Sequence, residues 1–190
     1  MISVSEEAIG TLSSQAEVCM IFRYDRIFEI VVEEPGFNGF KLVEKHLPDW
    51  RTKDYDAVAD DMPSAWARRF DVSKWGFLVA RDDGNRVGGA VIAYDTIAVN
   101  MIDRAEQAVL WDLRVAPDYR SRGVGLMLFQ AVEDWARQKG CSELKIETQN
   151  NNVAACKFYA RRGCTLGGIN RFAYPASFDE VQMLWYKKLA

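Results

Sequence analysis

The stretch Leu110-Trp-Asp-Leu-Arg-Val-Ala-Pro-Asp-Tyr-Arg-Ser-Arg-Gly-Val-Gly125 decides how the rest of the chain is read. Its apolar opening predicts a strand over 108–115, which runs into a turn carrying two arginines and two glycines. Beyond the turn, Leu128, Ala131, Val132, Trp135 and Ala136 recur at helical spacing, and Gly140 stands where a helix commonly ends. The pattern therefore predicts a helix over 124–139. A strand, a glycine turn and a helix in succession leave backbone N–H groups unpaired at the positive end of a helix dipole, and such a place binds phosphate. Gly123 and Gly125 let the backbone approach a ligand with no Cβ in the way.

Working outward, residues 28–33 and 40–44 read as two pairing strands around a turn between Gly36 and Gly39. The acid-rich run from Arg51 to Phe70 reads as a loop followed by a short helix. Strands over 77–80 and 87–94 flank Asp83-Gly84, a strong hairpin signal. Downstream come a strand over 144–148, a helix over 153–162 stopped by Gly163, and two strands near 165–174 and 182–188. No repeat, low-complexity tract or linker divides the chain. Residues 1–190 are therefore expected to form a single α/β domain with one mixed, mostly antiparallel sheet and helices on both faces.

Composition narrows the function. Hydrophobic residues make up 49% and charged residues 27% of the 190, values that suit a globular core. A formal net charge of -3 argues against general nucleic-acid binding and favours a neutral or cationic partner. The opening residues lack a signal-peptide pattern and no apolar run would span a bilayer, so a cytoplasmic protein with no membrane partner is expected. Four cysteines without CxxC spacing and one histidine argue against a metal site or a disulfide framework. A P-loop would need GxxxxGK[ST], which does not occur. A dinucleotide loop would need a third glycine where Leu128 stands.

One family does fit. Arg120-Ser-Arg-Gly123-Val-Gly125 resembles the R/Q-x-x-G-x-G/A loop of the GNAT (general N-acetyltransferase) superfamily. Asn152-Val-Ala-Ala-Cys-Lys-Phe-Tyr159 resembles that family's second element, an Asn followed two helical turns later by Tyr. The two stand in the family's order, one helix and one strand apart, and the resemblance covers roughly Phe77 to the C-terminus. The run from Glu147 to Lys157, Tyr159-Ala160, the run from Thr165 to Ile169 and the segment around Lys53-Asp-Tyr55 further resemble streptothricin (nourseothricin) acetyltransferases.

The resemblance implies a GNAT fold in which the central strand splays from its neighbour to admit acetyl-CoA, with no metal. It implies that the N–H groups of Arg120, Ser121, Arg122, Gly123, Val124 and Gly125 hold the pyrophosphate, with the arginines adding charge. The backbone at Leu113 and Val115 would take the pantetheine arm, and Asn152 would make a further cofactor contact. The implied substrate is a small cationic amine, the β-lysine amine of streptothricin, with antibiotic resistance as the outcome. Tyr159 would be the acid at the departing thiolate; a plain aromatic on the buried face of its helix is the other reading.

Direct attack by an alkylamine, with a pKa near ~10.4, needs a base, and the departing thiol, near ~8.5, benefits from an acid. Many relatives carry the base on the central strand, at positions that fall here on Val109 and Trp111, and neither titrates. Glu147 lies on the strand face opposite Leu144, Ile146 and Thr148 and is the candidate, with orientation of the amine as its other reading. Asp112 either binds the substrate ammonium or pairs with an arginine such as Arg114. Trp111, Tyr55 and Tyr174 are candidate walls of the substrate cavity, or core. Asp54, Asp56, Asp60 and Asp61 either line a mouth for a polycation or form a solvated loop. A cysteine nucleophile lacks a nearby base, His46 being far upstream. Met183, Leu184 and Trp185 suit pairing across a homodimer. The alternatives are a GNAT enzyme for another small amine, polyamine or protein N-terminus, and a non-catalytic acetyl-CoA-binding module.

Overall fold

The computed structural model describes residues 1–96 and 104–189. In chain order the elements are β1 (Ile2–Glu6), β2 (Ile21–Val32), β3 (Phe40–Asp54), α1 (Pro63–Arg69), β4 (Gly76–Asp82), β5 (Asn85–Ala93), β6 (Gln107–Val115), α2 (Val124–Gln138), β7 (Glu143–Gln149), α3 (Val153–Arg161), β8 (Thr165–Asn170) and β9 (Gln182–Lys188). A 3-10 helix, Ile9–Glu17, precedes β2. These elements form two compact units: Met1–Ile21 with Asp54–Ile146 and Lys187–Ala190, and Phe22–Lys53 with Glu147–Tyr186. Strand β7 contributes its first half to one and its end to the other. No helix among the described residues is long and apolar enough to cross a membrane.

In the first unit the strand order is β1-β4-β5-β6-β7. All neighbours are antiparallel except β6 and β7, which run parallel. The β4–β5 turn uses Asp83 at φ +46° and Gly84 at φ +86°, the left-handed pair a two-residue hairpin needs. Helices cover both faces. A Cβ on Gly88 would meet Leu128 and Val124 of α2, so that helix lies on the face of Gly88. A Cβ on Gly89 would stand 2.0 Å from Gln15 Oε1, so the 3-10 helix lies on the opposite face. Leu12 and Trp66 pack there against Phe77, Val79, Val91, Ala93 and Val109. On α2, Leu128, Val132, Trp135 and Ala136 of the expected stripe are buried, Ala131 is half-buried, and Val124 is buried with them. Burial of a side chain such as Leu128 contributes about 1.5–3 kcal/mol.

Strand β6 departs from simple alternation. Val91 pairs with Asp112 and Ile92 with Leu110, so Trp111 is the extra residue of a β-bulge. Past the bulge the faces exchange: Asp112 and Arg114 join Val109 on the face of the 3-10 helix, while Leu113 and Val115 join Leu110 on the face of α2. The β6–β7 ladder ends at the pair Leu110–Ile146, although β6 continues to Val115. The splay expected of the central strand is this end of pairing.

In the second unit the order is β7-β9-β8, with β8 and β9 antiparallel, and α3 follows β7. Strands β2 and β3 form a separate two-stranded sheet of twelve and fifteen residues, much longer than the sequence predicts. The reason is visible in its burial: no residue of either strand is buried, so no apolar alternation marks its full length. Charge pairs across the two strands take that place, Lys45 with Glu29 at 2.8 Å and Arg26 with Glu44 at 3.2 Å. Of the residues offered for a dimer, Met183 and Trp185 are buried within the chain itself, and Trp185 Nε1 donates to Thr148 at 2.9 Å. Leu184, between them, is half-buried.

Candidate active site

The glycine turn of the first unit is shaped by its backbone. Ser121 sits at φ +61° and Gly123 at φ +86°, both left-handed, and Gly123 is the N-cap of α2. No side chain caps this end, so no capping group claims the first-turn N–H groups of Val124 and Gly125. A Cβ placed on Gly123 would meet nothing within 4 Å. An uncapped first turn of a fifteen-residue helix, with open space at its N-cap, fits a pyrophosphate. The two arginines differ. Arg120 turns back, donating from Nε to Val115 O at 3.1 Å and from Nη2 to Ile21 O at 2.8 Å. It braces the turn, and the Val115 carbonyl already accepts this bond. Arg122 lies 5.4 Å above the Tyr119 ring, whose hydroxyl donates to Asp82 at 3.2 Å. Arg122 is therefore the better-placed cation for a phosphate.

The bulge decides the role of Asp112. Its carboxylate accepts Arg114 Nε at 3.0 and 3.1 Å and Gln15 Nε2 at 2.6 Å. Arg114 also reaches Asp56 at 2.7 Å and Val18 O at 3.2 Å, and Asp56 accepts from Met20 N at 2.8 Å. Of the two readings of Asp112, the structure selects the arginine pair. Burial pushes the Asp112 carboxyl above its ordinary range, and the Arg114 charge opposes that shift. Half of the acidic segment is used likewise: Asp56 is in this network, and Asp54 accepts the N–H of Asp56 at 2.9 Å. Asp60 and Asp61 remain exposed. Trp111 stands among aromatic rings, with centroids 5.3, 5.5 and 6.1 Å from Phe70, Trp75 and Trp66. It is part of the packed face. Tyr55 is half-buried and its N–H donates to Met20 O at 3.2 Å.

The second unit brings together residues that are far apart in sequence. Asn152 is the N-cap of α3, its Oδ1 accepting Ala155 N at 3.1 Å, so its carbonyl is committed to the helix. Two turns on, Tyr159 is 6% exposed and its ring packs edge-on against Phe158 at 5.2 Å. Cys156 is buried against Thr148, and burial pushes its thiol up to about 11, which removes it as a nucleophile near neutral pH. Glu147 is exposed, as the alternation along β7 predicts. One of its oxygens accepts the Tyr174 hydroxyl at 2.6 Å and the other accepts Gln182 Nε2 at 2.7 Å. The Tyr174 hydroxyl in turn accepts Gln149 Nε2 at 2.8 Å. Tyr174 is thus a partner of Glu147, where the sequence offered it as a cavity wall. Sequence reasoning missed Gln149 and Gln182, for which no local pattern exists.

The family model of the acetyltransferase (GNAT) family matches residues 39–164. The streptothricin acetyltransferase of Escherichia coli is 40% identical over 188 residues, covering 96% of this chain and 92% of that protein. The streptothricin acetyltransferase of Streptomyces lavendulae is 26% identical over 168 residues, covering 88% and 84%. Streptothricin acetyltransferase A of Bacillus subtilis (strain 168) is 35% identical over 83 residues, and the match spans 48% of that protein. Among solved structures, nourseothricin acetyltransferase superposes with a TM-score of 0.77 at 25% identity, covering 100% of this chain and 99% of that one. A structure from Bacillus anthracis str. Ames in complex with acetyl coenzyme A has the same fold, with a TM-score of 0.75 at 22% identity and coverage of 100% and 98%.

Proposed function

Given that the chain belongs to the acetyltransferase (GNAT) family, we propose that it transfers an acetyl group from acetyl-CoA to the β-lysine amine of streptothricin, and so confers resistance to that antibiotic. The observation that carries the substrate is the 40% identity to a streptothricin acetyltransferase along 96% of this chain, including its least recognisable first third.

Acetyl-CoA supplies an acetyl group activated as a thioester. In this reading the N–H groups of the turn from Ser121 to Gly125 hold its pyrophosphate, the Arg120 N–H being already given to Pro117 O at 3.2 Å; Arg122 adds charge, and the backbone of Leu113 and Val115 lines the pantetheine arm. Asn152 caps α3 with its carbonyl and keeps its amide N–H groups for the cofactor. Glu147 takes the proton that the amine must lose, since an alkylammonium near ~10.4 is charged at neutral pH. The amine nitrogen bonds to the acetyl carbon, the carbon–sulfur bond breaks, Tyr159 gives its proton to the sulfur, and the second proton that the nitrogen sheds on becoming an amide restores the Tyr159 phenol. Cys156 takes no part.

The test is thiol release from acetyl-CoA by purified protein, in parallel reactions with streptothricin, lysine, spermidine and an aminoglycoside. Turnover with streptothricin alone is the expected result. Turnover with another of the amines and none with streptothricin would overturn the substrate while leaving the family intact.

A further inference from the structure

We infer that Tyr174 and Gln182 are positioning residues for Glu147, and that the connection between β8 and β9 serves to hold them to it. The inference rests on the reading of Glu147 as proton acceptor. An exposed glutamate ordinarily samples several rotamers, and fixing it costs conformational entropy. Here both carboxylate oxygens are already claimed, at 2.6 Å by the Tyr174 hydroxyl and at 2.7 Å by Gln182 Nε2. The Tyr174 hydroxyl accepts Gln149 Nε2 at 2.8 Å, so with its acceptor side filled its proton points to Glu147. The carboxylate is held from two sides, and each oxygen retains acceptor capacity for an amine proton.

The two donors come from the two ends of one connection. Tyr174 follows β8 and Gln182 opens β9. That connection is itself fastened at several points. Glu180 accepts Lys53 Nζ at 2.6 Å and Asn151 Nδ2 at 2.9 Å. Val181 N donates to Asn150 Oδ1 at 2.9 Å, and Phe172 N to Asn170 Oδ1 at 3.0 Å. A stretch whose sole duty was to join two antiparallel strands would need none of these ties, since two to five residues suffice for that. The asparagine run Asn150–Asn151 thus acts on the connection, which carries the two groups that orient Glu147.

The test is a double-mutant cycle on turnover of streptothricin. Tyr174→Phe is expected to lower kcat about tenfold with the KM for acetyl-CoA unchanged, the loss of one hydrogen bond to a charged group. In a Glu147→Gln background the same substitution should change kcat by less than about twofold, because the group it serves is gone. Gln182→Met, similar in shape and lacking the donors, should behave the same way and reads the cycle if Tyr174→Phe fails to fold. Multiplicative losses in the cycle, or a loss confined to the KM for acetyl-CoA, would overturn the positioning role alone. A Glu147→Gln enzyme with full kcat would overturn the proton-acceptor reading, and the positioning role with it.

Discussion

The glycine turn and the Glu147 cluster are built in opposite ways. The turn is contiguous, and its shape comes from backbone angles: Ser121 and Gly123 in the left-handed region, and a helix start that no side chain caps. The cluster is assembled from Glu147, Gln149, Tyr174 and Gln182, and everything that matters in it is a side-chain atom. A surface made of N–H groups tolerates many side chains and few backbone changes. A surface made of carboxylate, phenol and amide groups tolerates the reverse.

That contrast can be pressed hardest where side chains alone do the holding. Arg114 serves the buried Asp112 and the half-buried Asp56, so Arg114→Met should destabilise the fold by about 3–5 kcal/mol, read by denaturant unfolding near neutral pH. The sign with pH follows from Asp112. Its folded pKa lies above the unfolded value, largely through burial, and removing Arg114 raises it further. The deficit is then fully present above the variant's folded pKa and disappears as pH falls to the native protein's lower one. A deficit that grew on acidification would break the assignment of the network.

A smaller effect is expected at the backbone-built turn. Gly123→Val places a β-branched residue at φ +86°, a conformation that costs roughly 1–2 kcal/mol. Acetyl-CoA affinity should fall about tenfold by calorimetry, whereas Ser121→Ala should scarcely change it. Equal losses from the two would mean that the turn works through its side chains. The smallest effect concerns the thiols. Cys19 is exposed while Cys141, Cys156 and Cys164 are buried, with the Cys156 thiol pushed up to about 11. A thiol reagent at pH 7.5 should modify Cys19 in the native protein and leave Cys156 unmodified, with turnover retained.

The same contrast explains what could be read from the residues. The β4–β5 hairpin, β6, α2, β7 and α3 were legible because each has a local mark: Asp83-Gly84, an apolar run, a helical stripe, or a glycine at the helix end. The full span of β2 and β3 was not, since charge pairs and not apolar alternation mark them. β1 and the 3-10 helix Ile9–Glu17 went unassigned, because their fit depends on Gly89 leaving room for Gln15 and on partners some seventy residues away. At the site, the alternation along β7 put Glu147 on the open face. Its partners Tyr174 and Gln182 lie beyond any local spacing, and only the folded chain joins them.

The bulge at Trp111 has a consequence at the level of the gene. Losing that single codon would restore plain alternation in β6 and would keep a residue opposite every member of β5. The pairs on either side would stay as they are, Val91 with Asp112 and Ile92 with Leu110, so Asp112 and Arg114 would keep the face of the 3-10 helix. An in-frame deletion would take away only the indole that packs against Phe70, Trp75 and Trp66. The charge network and the aromatic cluster are thus separable in the gene by a single codon.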